Sequence, residues 1–241
     1  MAPCAHGRPR PLPPPLGTPG RSPLEPLGAS GRFEDVTIVI GITGPAGSGK
    51  STVSRMLARR PGIGHVDCDE LAHVTYRLGG PAYARLLGRF GDEILEPDGS
   101  VNRRQLAELA FSDPKAKEDL EAIVHPLVME KVKREIRRHQ ALGTRWLLVE
   151  GALLLSSPHV DTSLFDAFVW LSAPEEERRK RLLAAGLPWD IVEKRLQAQR
   201  ELLPPKAENV YVVDANIPPA DVAARVLELL QTLEERRKGG R

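Results

Sequence analysis

Cysteine, aromatic residues and an excess of either charge are all scarce in this chain of 241 residues. Its two cysteines, Cys4 and Cys68, lack the spacing of a zinc site and predict a reduced protein without a structural disulfide. Lys and Arg total 34 against 32 Asp and Glu, so the net charge of +2 gives no global attraction for nucleic acid. Its apolar runs, such as residues 36–42, are too short to cross a bilayer. We therefore expect a cytoplasmic protein with neither a nucleic-acid nor a membrane partner.

The first 35 residues differ from the rest of the chain. They hold nine of the 22 prolines and almost no periodic apolar pattern. Such a segment buries too little surface to offset its ordering entropy, so residues 1–35 are predicted to form a disordered leader. The leader lacks the continuous apolar run of a secretory signal, and it is open whether it is an inert extension, a misassigned start or a Pro-rich docking segment. The folded domain is then residues 36–241.

Five β-branched or apolar runs bounded by turn residues predict buried strands, at residues 36–42, 64–67, 146–149, 167–171 and 210–213. Helical spacing of apolar residues marks the segments between and after them, including a helical insertion of about 70–140. Alternating strands and helices predict an α/β fold, with a parallel sheet of about five strands and helices on both faces.

Three local signals give sharper expectations. Pro81 suits the first turn of a helix, and Ser172 with Glu175 matches a capping box at a helix start. Pro126 lies inside a helical run and should break or kink it, because proline removes a backbone donor and clashes one turn back. His125 would then lie at a helix break.

The segment after the first strand matches the phosphate-loop pattern G-x-x-x-x-G-K-[ST] at every fixed position. Glycines let the backbone bend so that its N–H groups point at phosphates, and the following helix N-terminus adds further donors. Lys50 should reach the β- and γ-phosphates, the Ser51 hydroxyl should bind Mg²⁺, and Thr52 should cap the helix or contact the α-phosphate. The residues predicted to bind ATP are Gly44, Pro45, Ala46, Gly47, Ser48, Gly49, Lys50, Ser51 and Thr52.

Acidic residues follow two other strands. Asp67 and Asp69 come after the second strand, at the edge where open α/β sheets bind ligands. Phosphoryl transfer to a hydroxyl needs a carboxylate that orients the hydroxyl and accepts its proton, which suits Asp69, although either aspartate also suits a helix cap. Glu150 ends the third strand, where an acid either organises Mg²⁺ or is solvated. The sequence lacks the Asn-Lys-x-Asp guanine motif, which disfavours a GTPase and leaves an ATPase or a kinase.

Four ordered motifs make the chain resemble the dephospho-CoA kinase family over roughly residues 37 to 230. They are IGITGPAGSGKSTV, VDCDELAH, FGDEILEPDGSVNRRQLAELAFSD and AIVHPLV. The resemblance implies transfer of the ATP γ-phosphoryl group to the ribose 3′-hydroxyl of dephospho-CoA, giving CoA and ADP. Another small-molecule or nucleoside kinase of this fold is one alternative, and a regulatory ATP-binding switch is another.

The resemblance also implies roles for single residues. Asp69 falls on the catalytic aspartate of the family, and Arg103, after the PDG turn, falls where a guanidinium holds substrate phosphate. His125 either contacts the substrate or packs structurally. Gln199 and Asn216 fall near family positions, Asn216 where adenine is bound.

Residues 178–199 resemble the lid that brings cations to the transferring phosphoryl group and excludes water. The family usually has two lid arginines one helical turn apart, whereas this chain has Ala184 where the second would fall. Arg181 is therefore assigned as the catalytic cation, with Arg195 as its alternative. The loop of residues 152–156 also departs from the family pattern, which leaves its substrate contact open. The resemblance implies ATP and Mg²⁺ as cofactors and a small-molecule substrate, and we expect a monomer or a small homo-oligomer.

Overall fold

The structure is a computed structural model that describes residues 37–239, apart from the side chain of Phe111. The predicted leader, residues 1–35, lies outside the described residues. Among the described residues, Cys68 is a free thiol. No helix within residues 37–239 is both long and apolar enough to cross a membrane.

Five parallel strands form one sheet, as the sequence predicts. They are β1 (Ile38–Thr43), β2 (Ile63–Asp67), β3 (Trp146–Glu150), β4 (Ala167–Ser172) and β5 (Val210–Asp214). The spatial order is β2-β3-β1-β4-β5. Every residue of β1 and β3 is buried, because these strands lie inside the sheet and are covered on both faces. This is why both read in the sequence as continuous apolar runs.

Within residues 37–239, eight α-helices connect or follow the strands. They are α1 (Lys50–Ala58), α2 (Cys68–Tyr76), α3 (Tyr83–Phe90), α4 (Arg103–Ser112), α5 (Pro114–Ala141), α6 (Glu175–Ala184), α7 (Trp189–Ala198) and α8 (Pro219–Gly239). Short 3₁₀ turns occur at Asp92–Ile94 and Thr162–Leu164.

Two cores lie on opposite faces of the sheet. On one face, the helices between β2 and β3 pack against residues such as Val39 and Phe168. On the other face, α1 and α8 pack against residues such as Ile40 and Val169. Alternate residues of one strand therefore serve different cores, and the predicted fold class is confirmed. A third, small core joins α6 to α7.

Three local expectations are wrong. The helix α5 runs without a break through Pro126, because the proline is exposed and the carbonyl it frees belongs to the exposed Ala122, where water can bond to it. The helix predicted from Pro81 begins at Tyr83 instead. Ser172 does not cap α6, since it is the last residue of β4 and pairs with β5.

The strand order places a crevice at the carboxyl edge of the sheet. The chain leaves the central strand β1 and crosses to one side for β2, whereas the connection after β3 crosses back to β4. Ligands of open α/β sheets bind where the crossing direction changes in this way. The loops after β1, β2 and β3 all open at that edge.

Candidate active site

The phosphate loop joins β1 to α1 in a backbone conformation that requires glycine. Gly44 and Gly47 have φ angles of 132° and 78°. A Cβ on Gly44 would overlap the carbonyl oxygen of Leu171, and one on Gly47 would lie 2.6 Å from the carbonyl oxygen of Arg178. Neighbouring backbone therefore approaches the loop on two sides, and the loop ends in the N-terminus of an α-helix, an anion-binding arrangement.

Lys50, the first residue of α1, folds back over the loop. Its Nζ donates hydrogen bonds to the carbonyl oxygens of Gly44 at 2.9 Å and Pro45 at 3.1 Å. Burial lowers the pKa of Lys50, and the negative charges of Glu150 and Asp69 oppose that shift. The ammonium group thus lies in the field of both acids at the edge of the sheet.

Glu150 is a buried acid directly beside the loop. It is 4% exposed, its Oε1 accepts a hydrogen bond from the Ser51 hydroxyl, and its Oε2 lies 3.0 Å from His65 Nε2. Burial acts to raise the pKa of Glu150, but the hydrogen bonds from His65 and Ser51 outweigh it and lower the pKa overall. A carboxylate and a hydroxyl held together supply the oxygen ligands that Mg²⁺ prefers.

The two aspartates after β2 have different positions. Asp67 caps α2, because its Oδ1 accepts hydrogen bonds from the backbone N–H groups of Asp69 at 2.9 Å and Glu70 at 3.3 Å. Asp69 is exposed at the mouth of the site. Desolvation by the surrounding protein raises the pKa of Asp69, the charge of Asp67 raises it further, and Lys50 opposes the shift. The Asp69 side chain is thus exposed, while Asp67 caps the helix.

Two arginines of α6 face the phosphate loop. Arg178 is 6% exposed, and its Nη1 lies 3.5 Å from the carbonyl oxygen of Ala46. Arg181, one helical turn later, donates to the carbonyl oxygen of Ala215 at 2.9 Å and lies 3.5 Å from that of Ser48.

The two cations between Arg178 and Arg181 pair with acidic side chains of the lid segment. Arg179 pairs with Glu193 and Glu175, and Lys180 pairs loosely with Glu176 at 3.9 Å. Arg195, the alternative lid cation, is exposed on α7.

Gln199 makes a further contact with the loop, immediately after α7. Its Oε1 accepts a hydrogen bond of 2.6 Å from the backbone N–H of Ala46. The side chain of Ala46 also packs against the small core between α6 and α7. Ala46 therefore touches the lid segment through its N–H, its carbonyl and its methyl group.

The predicted acceptor side lies around α2 and α4. Arg103 is the exposed first residue of α4. Burial lowers the pKa of His73 on α2, and the positive charge of Arg103 lowers it further. Desolvation is the main cause that raises the pKa of Tyr76. The positive charge of Arg103 opposes this shift, and the negative charge of Asp69 adds to it. Asp69, His73 and Tyr76 follow i, i+4, i+7 spacing, so one face of α2 carries them toward Arg103.

His125 lies in mid-helix and joins α5 to the loop after β3. Its Nδ1 is 2.8 Å from the Ser157 hydroxyl. Burial lowers the pKa of His125, which keeps the ring neutral at physiological pH. In the altered loop, Leu154 is buried in the core and the carbonyl of Ala152 accepts a hydrogen bond from Thr43. These contacts give His125 and this loop a packing role.

A cavity lies beside the end of the phosphate loop, next to Arg181. Its lining includes Thr52, Ala215 and Ile217. Asn216 lies between the last two residues but is itself exposed, and its backbone N–H donates to Asp214.

The structure also identifies site residues that sequence reasoning did not single out or placed only loosely. The sequence places Arg178 only at the start of the lid segment, and it leaves Glu150 as either a Mg²⁺-organising acid or a solvated one. The spacing between Arg178 and Arg181, one helical turn, is the signal that would have found the first. No signal predicts the contact of Gln199 with Ala46, which lie 153 residues apart.

A loop, lysine and acid set at the carboxyl edge of a five-stranded parallel sheet defines a P-loop protein that binds a nucleoside triphosphate. Comparison with known proteins specifies which one. The family model described as dephospho-CoA kinase matches residues 38–225. A dephospho-CoA kinase of Syntrophotalea carbinolica is 37% identical over 203 residues, covering 84% of this chain and 95% of that protein. The chain belongs to the dephospho-CoA kinase family.

Two solved structures share this fold. The crystal structure of TT1252 from Thermus thermophilus superposes with a TM-score of 0.64 at 30% identity, covering 81% of this chain and 97% of that one. A dephospho-CoA kinase from Campylobacter jejuni shares the fold, with a TM-score of 0.51 at 19% identity, covering 82% and 98%. The other kinase classes and the regulatory switch are not favoured.

Proposed function

We propose that the chain transfers the γ-phosphoryl group of ATP to the ribose 3′-hydroxyl of dephospho-CoA, the last step of CoA synthesis. The observation that carries the proposal is the position of Asp69. Its carboxylate is open at the mouth of the site, within the field of Lys50, and its cap role is taken by Asp67. Family membership supports the choice of acceptor.

The phosphate loop and Lys50 hold the ATP phosphates, and Asp69 acts on the acceptor. Asp69 orients the 3′-hydroxyl and takes its proton as the oxygen attacks the γ-phosphorus. The bond from that phosphorus to the bridging β–γ oxygen breaks, and ADP leaves. The raised pKa of Asp69 suits it to this role, because a general base works best when its pKa approaches the working pH.

Ser51 and Glu150 would hold Mg²⁺, since the Ser51 hydroxyl and the Glu150 carboxylate lie together beside the loop. Mg²⁺ commonly takes one or two protein oxygens together with substrate phosphates and water, and this pair fits that pattern. When bound, the ion neutralises negative charge on the phosphates. His65 supports the site by holding the second carboxylate oxygen of Glu150.

Cations from two sides and one neutral amide complete the site. Arg103 is assigned to the phosphate groups of the acceptor, next to the α2 face that carries His73. Arg178 and Arg181 are assigned to the lid: the pair lies one turn apart and supplies the two cations that the family pattern requires. Asn216 is assigned to the adenine side, because its neighbours Ala215 and Ile217 line the cavity beside the loop.

Three further expectations are part of this proposal. We place the enzyme in the cytoplasm, as a monomer or a small homo-oligomer without a nucleic-acid partner. A reduced Cys68 within the DCD motif and the nearly balanced charge support this view. Size-exclusion chromatography with light scattering would measure the oligomeric state.

The test is ADP release with Mg·ATP and a panel of acceptors. Dephospho-CoA is compared with adenosine, pantothenate, nucleoside monophosphates and no acceptor. Strong stimulation by dephospho-CoA alone, with CoA formed in equal amount to ADP, is the expected result. Equal rates with every acceptor, or stimulation by another compound only, would refute the assignment.

A further inference from the structure

One residue of the phosphate loop, Ala46, carries backbone contacts from both ends of the lid segment, defined here as residues 175–199. The N–H of Ala46 donates to Gln199 Oε1 at 2.6 Å, after α7. Its carbonyl lies 3.5 Å from Nη1 of the buried Arg178, in α6. The two contacts come from opposite ends of the segment and meet on the same residue.

Apolar packing reinforces these polar contacts. The small core between α6 and α7 is built on the buried residues Leu182, Val192 and Leu196, and Ala46 packs against it. Gly47 lies so close to the backbone of Arg178 that a Cβ would be 2.6 Å from its carbonyl oxygen. The lid segment is therefore docked on the loop through Ala46 and Gly47.

We infer that Gln199 is a positioning residue that fixes the lid segment over the phosphate end of ATP. It acts by accepting the Ala46 N–H, which anchors α7, while the shared small core passes that restraint to α6 and its arginines. This inference rests on the proposed phosphotransferase function.

A restrained lid favours transfer to the acceptor over transfer to water. Water competes with the acceptor hydroxyl for the γ-phosphoryl group, and a closed lid excludes it. Removing the Gln199 oxygen leaves a loop N–H without its partner and frees α7 to open. Hydrolysis of ATP without acceptor should rise as a result.

The experiment compares Gln199→Ala with Gln197→Ala, which changes an exposed glutamine in the last turn of α7. Hydrogen exchange of the α7 amides measures the lid without reference to any acceptor. The ratio of CoA formed to ADP released measures coupling. Gln199→Ala should speed exchange in α7 and raise the uncoupled fraction, each by up to about 10-fold, since one hydrogen bond is worth about that factor in an equilibrium constant.

A second variant, Gln199→Glu, separates anchoring from charge. It keeps an oxygen for the Ala46 N–H, so α7 exchange should stay near that of the unmodified protein. Its negative charge beside the phosphates should raise the KM for ATP. Wild-type exchange or wild-type coupling in Gln199→Ala overturns the inference, and so does an equal effect from Gln197→Ala. Faster α7 exchange in a protein inactive on dephospho-CoA would overturn the proposed function while leaving the anchor in place.

Discussion

At the scale of single residues, Lys50 is the most sensitive position of the phosphate loop. The Lys50→Ala change should abolish measurable transfer, because it removes the ammonium group that reaches the phosphates. The fold should persist, since the group bonds only to loop carbonyls among its described contacts. Steady-state ADP release and circular dichroism measure the two effects. Lys131→Ala, in α5, is the control, and near-normal turnover in Lys50→Ala contradicts the site.

Asp69 tests the acceptor side of the same site. Asp69→Asn keeps the size of the side chain but removes the base, so kcat should fall about 10²- to 10⁴-fold. The melting temperature should not change, because the cap of α2 is Asp67. Glu70→Gln, an exposed neighbour in the same helical turn, is the control. A lower melting temperature with normal turnover would make Asp69 a structural residue.

The charge of Asp67 provides a separate prediction about pH. Asn is as good a helix cap as Asp, so Asp67→Asn should keep α2 while removing a negative charge near Asp69. That charge helps to raise the pKa of Asp69. Activity falls as pH drops through the pKa of the base, so a lower pKa moves the acidic limb of kcat/KM to lower pH. A pH–rate profile measures the limb, and no shift, or a shift upward, contradicts the pairing.

Residue types and spacing suffice to propose part of the site. The phosphate loop and the role proposed for Asp69 follow from motifs, because those chemical groups are needed at fixed distances along the chain, whereas the role proposed for Arg103 comes only from the resemblance to the family. Motifs alone do not decide which aspartate caps α2, and they do not predict the burial of Glu150. Both features depend on which backbone and side chains surround these residues. The contact between Gln199 and Ala46 depends on folding of the whole lid.

At the scale of secondary-structure elements, the parallel pairing of β1 with β4 requires glycine at position 41, opposite Phe168. A Cβ there would overlap Cδ1 of the buried Phe168. Gly41→Ala should therefore destabilise the protein by about 1–3 kcal/mol through overpacking. Gly88→Ala, in the exposed middle of α3 with open space around it, should instead stabilise by about 1 kcal/mol. Urea unfolding measures both, and equal signs for the two changes would contradict the packing.

Element types were easier to predict than element boundaries. The interior strands are continuous apolar runs because helices cover both faces, which the sequence displays directly. The break predicted at Pro126 was wrong. Proline does cost the helix a backbone hydrogen bond, but α5 buries Val124 and Val128 on either side, and this burial holds the helix together. The local signals at Pro81 and Ser172 likewise predicted helix starts that the structure does not have, since α3 begins at Tyr83 and α6 at Glu175.

At the scale of the whole molecule, the last turns of α8 lie at the edge of the sheet opposite the active site, whereas Pro219 and Val222 of its first turn line the cavity beside the phosphate loop. Glu234 accepts hydrogen bonds from Arg145, which precedes β3, and from Lys238. Arg145 also stacks over Trp146, with its guanidinium carbon 4.0 Å from the ring centroid. Arg237 adds a pair with Asp166, just before β4. The last helix is thereby tied to the beginnings of two interior strands.

Glu234 should make the stability of the whole domain depend on pH. Burial acts to raise its pKa, but the hydrogen bonds from Arg145 and Lys238 outweigh it and lower the pKa in the folded state. A lowered folded pKa gives stability that is present above about pH 4.3 and is lost as pH falls below it. Glu234→Gln should cost about 1 kcal/mol at pH 7, a modest value because Arg145 is half exposed.

The cost of Glu234→Gln should shrink as pH falls from 5 toward 3, because the carboxylate of the unmodified protein is then protonated as well. Urea unfolding of both proteins across that range measures the difference in free energy. Glu235→Gln, the exposed neighbour on α8, should show little cost at any pH. A cost for Glu234→Gln that stays constant or grows toward acid would mean that shape, rather than charge, ties α8 to the sheet. Because the active site lies at the opposite edge, kcat should not change at pH 7 in either variant.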